Sequence, residues 1–249
     1  LDVAGNLQVG YDSAAVVTVN NGGALRTGTG GGAAAFVGRG PGSNGTVLVT
    51  GGEAYWSNPG ELRVGYEGIG QVTVSGGASM TSTNTWIGDQ GTGDGTVTLQ
   101  GEGSTWTSTG ALSIGTYGIG RVDVQAGASV ECSEAVIGAV NQGEVNVAGE
   151  DSTFSSLGLL SVGHYGAGQL SIGDQAFVSS WDDMRIGVFE GSTGTVEITG
   201  GQLLSLSDLV VGHYGDGSVS QAAGQVTVVN SLCIGREAGW LVGSTAAGK

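Results

Sequence analysis

Short runs along the chain alternate between apolar and polar residues, and glycines separate one run from the next. The most regular run is an apolar pair around one variable residue, followed by glycine, as in Leu62–Gly65 and Leu112–Gly115. Alternation with a period of two predicts β-strands that bury one face. We call the glycines that end these runs the marker glycines. They are Gly10, Gly38, Gly65, Gly88, Gly115, Gly138, Gly163, Gly187, Gly212 and Gly235.

The marker glycines define a repeat. Successive ones are 23 to 28 residues apart, and from Gly38 onward alternate ones are 48 to 50 residues apart. A fixed period of this length without a helical pattern is typical of a solenoid. Each period holds three alternating runs, which predict three strands and three glycine-rich corners. We therefore predict an all-β, single-stranded parallel β-helix of about ten triangular coils, in a two-coil super-repeat of about 50 residues. The usual hand of parallel crossovers predicts that it is right-handed.

The same repeat predicts the core. The residue before each marker glycine is β-branched, from Val9 to Ile234, and should point inward as one continuous column. The residue that precedes each of these β-branched residues varies freely, which suits an outward position. Trp56, Trp106 and Phe154 recur 16 to 18 residues after a marker glycine, which predicts a stack that fills one corner of the core.

The whole chain is predicted to be one solenoid domain. Its first coils, at 1–35, are irregular, its repeats cover 36–238, and a short tail covers 239–249. The start at Leu1, without methionine or a signal segment, favours the mature piece of a secreted precursor or a trimmed segment. Because neither end carries a convincing cap, we expect either excision from a longer chain or end-to-end stacking of rods.

Composition and charge exclude some classes of partner. The formal net charge is −15, with only seven basic residues, so we expect no nucleic acid partner. No apolar run approaches 18 residues, so we expect no membrane insertion. Cys132 and Cys233 lie four coils apart, too far for a disulfide within the chain. They are predicted to be two free thiols or to form one intermolecular link.

The repeat carries a family resemblance over essentially the whole chain, which is weakest before Phe36 and after Ala238. It resembles the repeat of autotransporter passenger domains and of PEP-CTERM-type exported proteins. The matching residues are Ile87-Gly88, Gly93–Thr98, Gly103–Trp106 and Leu112–Gly120. The resemblance implies a bacterial β-helical protein that is secreted or lies on the cell surface. It brings no catalytic residues with it, since that family is defined by its architecture.

A surface aromatic ladder is the candidate site. Its residues follow marker glycines within two positions, so they should decorate one corner of the helix. They are Tyr66, Tyr117, His164, Tyr165, His213 and Tyr214. Such a ladder could stack on sugars or on another subunit, and the alternative is a solvent-facing corner without a ligand.

No metal or cofactor is expected. His164 and His213 are two coils apart, about 9.6 Å at the spacing of a sheet, which is too far for a shared zinc. The acidic pairs Glu150-Asp151 and Asp182-Asp183 could hold calcium with backbone carbonyls, but no Asp-rich repeat of the calcium-binding type is present. A solvated acidic surface is the preferred interpretation.

The remaining alternative is an enzyme. Polysaccharide lyases and hydrolases also use parallel β-helices, and they need a basic group or a pair of carboxylates on neighbouring coils. Arg63, Arg121 and Arg185 are predicted to lie in different columns, so no basic cleft is expected. We therefore expect a non-enzymatic extracellular or cell-surface solenoid that acts as a structural or adhesive segment or as a fibre subunit. Its expected partners are a surface glycan, a host or cell-surface protein, or further copies of itself stacked end to end. The alternative is a carbohydrate-active enzyme of the β-helix type or a glycan-binding module.

Overall fold

The computed structural model describes residues 1–31 and 33–235, and every regular element in them is a β-strand. The first thirteen strands are β1 (Asp2–Val3), β2 (Leu7–Val9), β3 (Ala14–Asn20), β4 (Ala24–Thr27), β5 (Ala35–Val37), β6 (Asn44–Thr50), β7 (Tyr55–Ser57), β8 (Leu62–Val64), β9 (Ile69–Ser75), β10 (Ser79–Ser82), β11 (Thr85–Ile87), β12 (Asp94–Gln100) and β13 (Thr105–Ile114). The others are β14 (Ile119–Gln125), β15 (Ser129–Ile137), β16 (Gln142–Ala148), β17 (Thr153–Ser156), β18 (Leu160–Val162), β19 (Ala167–Ile172), β20 (Phe177–Ser180), β21 (Met184–Ile186), β22 (Thr193–Ser205), β23 (Leu209–Val211), β24 (Asp216–Val228) and β25 (Leu232–Ile234).

Three strand segments make one turn, and each pairs in parallel with its equivalent in the next turn. The result is a β-solenoid with three parallel sheets. The marker sheet holds the strands that end at marker glycines: β2, β5, β8, β11, the ends of β13 and β15, β18, β21, β23 and β25. The long sheet holds β3, β6, β9, β12, β14, β16, β19 and the first halves of β22 and β24. The third sheet holds β1, β4, β7, β10, the first halves of β13 and β15, β17, β20 and the second halves of β22 and β24.

The described residues form nine complete turns, and β25 opens a tenth. The parallel β-helix predicted from the repeat is thereby confirmed. The region 1–35, predicted to hold irregular coils, contains a complete turn made of β2, β3 and β4, and residues 28–31 and 33–34 lie outside the strands. The tail predicted at 239–249 lies outside the described residues.

The inward column of the marker sheet is confirmed. Its members pair in register from one turn to the next, and from Val9 to Val211 none is more than 7% exposed. Ile234, the last member, is 65% exposed because it lies in the final described strand. The outward position is mostly part-exposed, but Ser161 and Val210 are buried there.

The predicted column of aromatic residues inside the core is also confirmed. Trp56, Trp106 and Phe154 are fully buried in the third sheet, and smaller apolar residues alternate with them along the column. Each indole N–H is satisfied inside the core. Trp56 Nε1 donates to Thr27 Oγ1 at 3.1 Å, and Trp106 Nε1 donates to Ser82 Oγ at 2.9 Å. Buried indoles need such partners, so these hydroxyls let a large ring fill the corner without an unsatisfied donor.

A buried hydroxyl ladder follows the aromatic column along the third sheet. Its consecutive members, one per turn, are Ser82, Ser108, Cys132, Ser156, Ser180 and Ser205. Cys132 places a thiol where the other members place a hydroxyl. Most of the serines donate to backbone carbonyls of the corners, for example Ser205 Oγ to the carbonyl of Asp208 at 3.1 Å. Corner carbonyls cannot join a sheet, and these hydroxyls satisfy them within the protein.

The marker glycines are required by geometry. Gly115 has a φ of +71°, and a Cβ there would lie 2.2 Å from the carbonyl oxygen of Gln142 in the next turn. A Cβ on Gly120, at the start of β14, would lie 2.3 Å from the amide nitrogen of Gly115. Only glycine fits, both because the backbone is left-handed and because two backbones touch. This close approach keeps the corners of successive turns in register.

Candidate functional site

The corner that follows each marker glycine positions the candidate residues. Its backbone continues the parallel ladder for two residues beyond the strand. The amide of His164 donates to the carbonyl of Gly138 at 3.0 Å, and the amide of His213 donates to the carbonyl of Gly187 at 2.9 Å. The two histidines therefore occupy the same corner position two turns apart, as predicted.

One residue further on, five successive turns present apolar side chains. We call this set the aromatic corner. It consists of Tyr117, Val140, Tyr165, Phe189 and Tyr214. Four of the five side chains are 45 to 55% exposed, and the fifth, Phe189, is half-buried. Exposed side chains of this size in one unbroken row form a contiguous apolar surface on the rod.

The rings at the centre of this surface hold one another in place. Tyr165 and Phe189 stack with their centroids 4.2 Å apart and their planes within 6°. His164 meets both rings edge-on, at 5.0 Å and 4.8 Å. His213 lies beside Tyr214 at 4.2 Å. Stacked and edge-on pairs are the favoured aromatic geometries, so the surface is ordered before any ligand binds.

His164 is neutral at physiological pH. Partial burial lowers its pKa below the ordinary value, and the positive charge of nearby Arg185 lowers it further. A neutral imidazole suits its place against two aromatic rings. The aromatic corner therefore carries no histidine charge of its own at this position.

Tyr66 occupies the same corner position as the two histidines, but it lies four turns before His164 and in a separate cluster of side chains. It directly follows its marker glycine, and its ring meets Phe36 edge-on at 5.5 Å. We call its surroundings the arginine–aromatic cluster, which consists of Tyr11, Phe36, Arg39, Arg63, Tyr66 and Trp86. Three of the six predicted ladder residues thus belong to the aromatic corner, His164 and His213 lie beside its rings, and Tyr66 lies in the earlier turns.

Within this cluster, Arg63 is held by both rings and acids. Its guanidinium lies 4.6 Å from the Trp86 ring and 5.7 Å from the Tyr66 ring. It also bonds Glu61 at 2.9 Å and forms an ion pair with Asp89. Burial raises the pKa of Asp89, although the charge of Arg63 beside it acts in the opposite direction. Both terminal nitrogens of Arg63 therefore already bond to carboxylates of the protein.

Two features of these surfaces were not predicted from the sequence. Phe189 stacks in the aromatic corner although it follows a valine where the other late turns have histidine. The other is an exposed apolar ridge at the opposite end of the marker strands, made of Leu157, Trp181, Leu206 and Val229. The signal for the ridge was an apolar residue directly after Ser156, Ser180 and Ser205 of the hydroxyl ladder, and after Val228, which pairs with Ser205 in the last complete turn.

The arginines are arranged differently from the prediction. Arg63 and Arg185 share the outward column of the marker sheet, five turns apart, so their assignment to different columns was wrong. The variable residue of the run is the same structural position in every turn, which places both there. Arg121 lies apart from them, in the long sheet.

A polar network surrounds Arg121. It donates to Asp123 at 2.8 Å and to Glu144 at 3.2 Å, and Asn146 bridges the same two carboxylates at 3.0 Å and 2.9 Å. These residues line a shallow, open depression on the rod. All four carboxylate oxygens accept a hydrogen bond from Arg121 or Asn146, and the charge of Arg121 offsets one of the two negative charges.

Metal ligands and thiols are the remaining candidates for chemistry. In residues 1–31 and 33–235, no three His, Cys, Asp or Glu side chains converge in a way that could hold a metal ion. Of the acidic residues considered for calcium, Asp183 instead bonds Arg185 at 3.0 Å and accepts from Ser207 at 2.9 Å. Cys132 and Cys233 are both free, as predicted for the chain itself, and burial raises the pKa of Cys132 to about 12.

Comparison with known proteins identifies no relative of this chain. No family model matches the chain, and no curated protein or solved structure is significantly similar to it. The described ranges contain no helix that could cross a membrane. What the molecule does therefore has to be argued from its own surfaces.

Proposed function

We propose that the chain is a non-enzymatic β-solenoid that acts outside the cell or at the cell surface, as a rigid structural and adhesive segment. The observation that carries the proposal is the aromatic corner, an exposed apolar row on five successive turns. Soluble proteins seldom expose contiguous apolar surface unless it binds something. The resemblance of the repeat to exported bacterial passenger domains supports the same location.

A glycan is the ligand class that suits the aromatic corner best. Tyrosine rings offer a flat apolar face and a hydroxyl, which match the apolar C–H face and the hydroxyl groups of a sugar. The rings repeat at the spacing of the turns, so a polymer of regular units could bind along the rod. Because the stack of Tyr165 and Phe189 is formed in advance, little ordering is needed on binding.

Fibre formation is a second form of the same structural role. The seven-residue strand β3 pairs with β6 on one side only, and within the described residues just the two-residue β1 lies beyond the first turn. An unpaired strand edge is a template for another chain. Rods that stack end to end would extend the sheets from one molecule into the next.

The alternative is a carbohydrate-active enzyme, and the network around Arg121 is the observation that favours it. Asp123 and Glu144 lie in neighbouring turns, which is the arrangement that such enzymes use. However, all four oxygens of these two carboxylates accept hydrogen bonds from Arg121 or Asn146, so the protein itself occupies the groups that would have to act on a substrate. We therefore assign this network a structural role.

Glycan binding tests the proposal directly. We expect the protein to bind neutral oligosaccharides on an array, and Tyr165→Ala combined with Phe189→Ala to weaken that binding at least tenfold. Trp181→Ala is the matched control, because it removes another exposed aromatic ring from the same turns. Incubation with the bound glycan should release no new reducing or unsaturated ends. Turnover that depends on Asp123 or Glu144 would replace the proposal with the enzyme alternative.

A further inference from the structure

Arg39 differs from every other arginine that the structure describes. The other four each form an ion pair with at least one carboxylate, and those pairs involve Arg26, Arg63, Arg121 and Arg185. Within residues 1–31 and 33–235, the guanidinium of Arg39 has neither an ion pair nor a hydrogen bond. In a chain with a net charge of −15, an unpaired cation on the surface is unexpected.

Aromatic rings hold this guanidinium in place. Its central carbon lies 5.0 Å from the centroid of the Tyr11 ring and 4.8 Å from that of Phe36. Contacts of this kind attract the cation through the ring face and leave the N–H groups unused. The side chain is therefore positioned in advance, with its donors still available. The N–H fork of an arginine matches the two oxygens of a carboxylate.

The repeat explains how these groups meet. Tyr11, Arg39 and Tyr66 each follow a marker glycine directly, in three successive turns. The amide of Arg39 donates to the carbonyl of Gly10 at 2.7 Å, and the amide of Tyr66 donates to the carbonyl of Gly38 at 2.9 Å. One corner column thus presents ring, cation and ring in order. Tyr11 is 51% exposed, so its ring can receive a ligand beside the guanidinium.

We propose that Arg39, Tyr11 and Tyr66 form a binding site for a carboxylated sugar, a uronate unit of an acidic glycan. The guanidinium would take the carboxylate in a forked pair of hydrogen bonds, and the tyrosine rings would take the sugar ring. The inference rests on the proposed function only in taking glycans as the ligand class. It names a second surface, in the first three turns, with a different chemistry from the aromatic corner.

The surroundings of Arg39 favour one carboxylate over a dense polyanion. Asp12 follows Tyr11 and Glu67 follows Tyr66 in the adjacent turns, and neither carboxylate pairs with Arg39. Their charges disfavour sulfated chains and nucleic acid, while their oxygens can accept hydrogen bonds from sugar hydroxyls. A weakly charged ring with several hydroxyls meets these requirements.

Binding of oligogalacturonate, measured by calorimetry, tests the site, and the fully methyl-esterified oligomer is the matched neutral probe. We expect at least tenfold tighter binding of the free acid than of the ester. Arg39→Gln should remove this preference and weaken binding of the acid at least tenfold. Arg39→Lys keeps the charge and the ring contacts but loses the fork, and should weaken it at least fivefold. Arg121→Gln removes the same charge elsewhere and should change it less than twofold.

The outcomes separate this inference from the proposed function. If acid and ester bind equally, if the acid does not bind, or if Arg39→Gln behaves like Arg121→Gln, the carboxylate site does not exist. Binding of neutral glycans that depends on Tyr165 would in those cases leave the proposed function intact. Acid binding that depends on Arg39, together with no binding at the aromatic corner, would support the site and overturn that part of the proposed function. Melting curves of each variant show whether it is folded.

Discussion

Tyr165 and Phe189 lie face to face in neighbouring turns, with ring centroids 4.2 Å apart and planes that differ by only 6°. Parallel turns are about 4.8 Å apart, so equivalent side chains in adjacent turns are at stacking distance by construction. A solenoid can therefore build an ordered aromatic surface simply by repeating rings at one corner. This relationship is why we place a binding function on the surface of the rod and not in a cleft.

The inward column of the marker sheet should tolerate no charge. Ile137 is fully buried between Ile114 and Val162. Ile137→Asp should destabilise the protein by several kcal/mol, since a buried carboxylate has no partner there. Thermal unfolding followed by circular dichroism measures this. Val140→Asp, three residues further on and 45% exposed, is the control and should change stability by less than about 0.5 kcal/mol. Equal stability of the two variants would contradict the inward assignment.

Replacing a marker glycine even with alanine should destabilise the protein. Gly115→Ala adds a Cβ 2.2 Å from a backbone oxygen at a φ of +71°. The left-handed backbone alone costs about 1–3 kcal/mol, and the overlap adds to that. Gly91→Ala is the control, since nothing lies within 4 Å of its Cβ. Denaturant titration of both variants should show a large loss for the first and almost none for the second. A small effect at Gly115 would mean that the corners can separate.

The buried thiol makes stability depend on alkaline pH. Burial raises the pKa of Cys132 to about 12, from an ordinary value of 9.0. Above pH 9 the unfolded chain loses the thiol proton while the folded chain keeps it, so stability falls from pH 9 toward pH 12. Below pH 9 the thiol contributes no pH dependence.

Cys132→Ser isolates this effect. Its register neighbours Ser108 and Ser156 belong to the same hydroxyl ladder, so serine fits the position. We expect the variant to fold and to lose less stability than the parent between pH 9 and 10.5. In the folded protein, a thiol reagent at pH 8 should modify Cys233, which is part-exposed, far faster than Cys132. Rapid modification of both thiols in the folded parent would contradict this account.

End-to-end assembly is tested by electron microscopy of the purified chain over a range of concentrations. If rods stack through the open edge of β3, fibres should form with an axial repeat of roughly 45–50 Å, the length of ten turns at the sheet spacing. Val16→Lys, in β3 where the side chain is 65% exposed, should suppress them because charged residues protect strand edges. Single rods at every concentration would exclude filament formation by this segment alone.

The strand pattern, the turn length and the inward column all followed from the sequence. In a parallel solenoid each residue contacts its own equivalents one period away, so phase along the chain becomes position in space. Val9, Ile137 and Trp106 could therefore be assigned to the core without any long-range information. The same logic correctly placed His164 and His213 in one corner, two turns apart.

What the tertiary structure alone decided lies outside the core, where side chains of neighbouring turns choose their partners. The position of a residue within the repeat could not show that Phe189 completes the stack with Tyr165, because that contact depends on two side-chain orientations. Nor could it show that Tyr66 joins a separate cluster or that Arg39 lies between two rings without an acid. Repetition determines where the backbone goes, whereas the surface side chains break the repetition, and their contacts exist only once the turns are stacked.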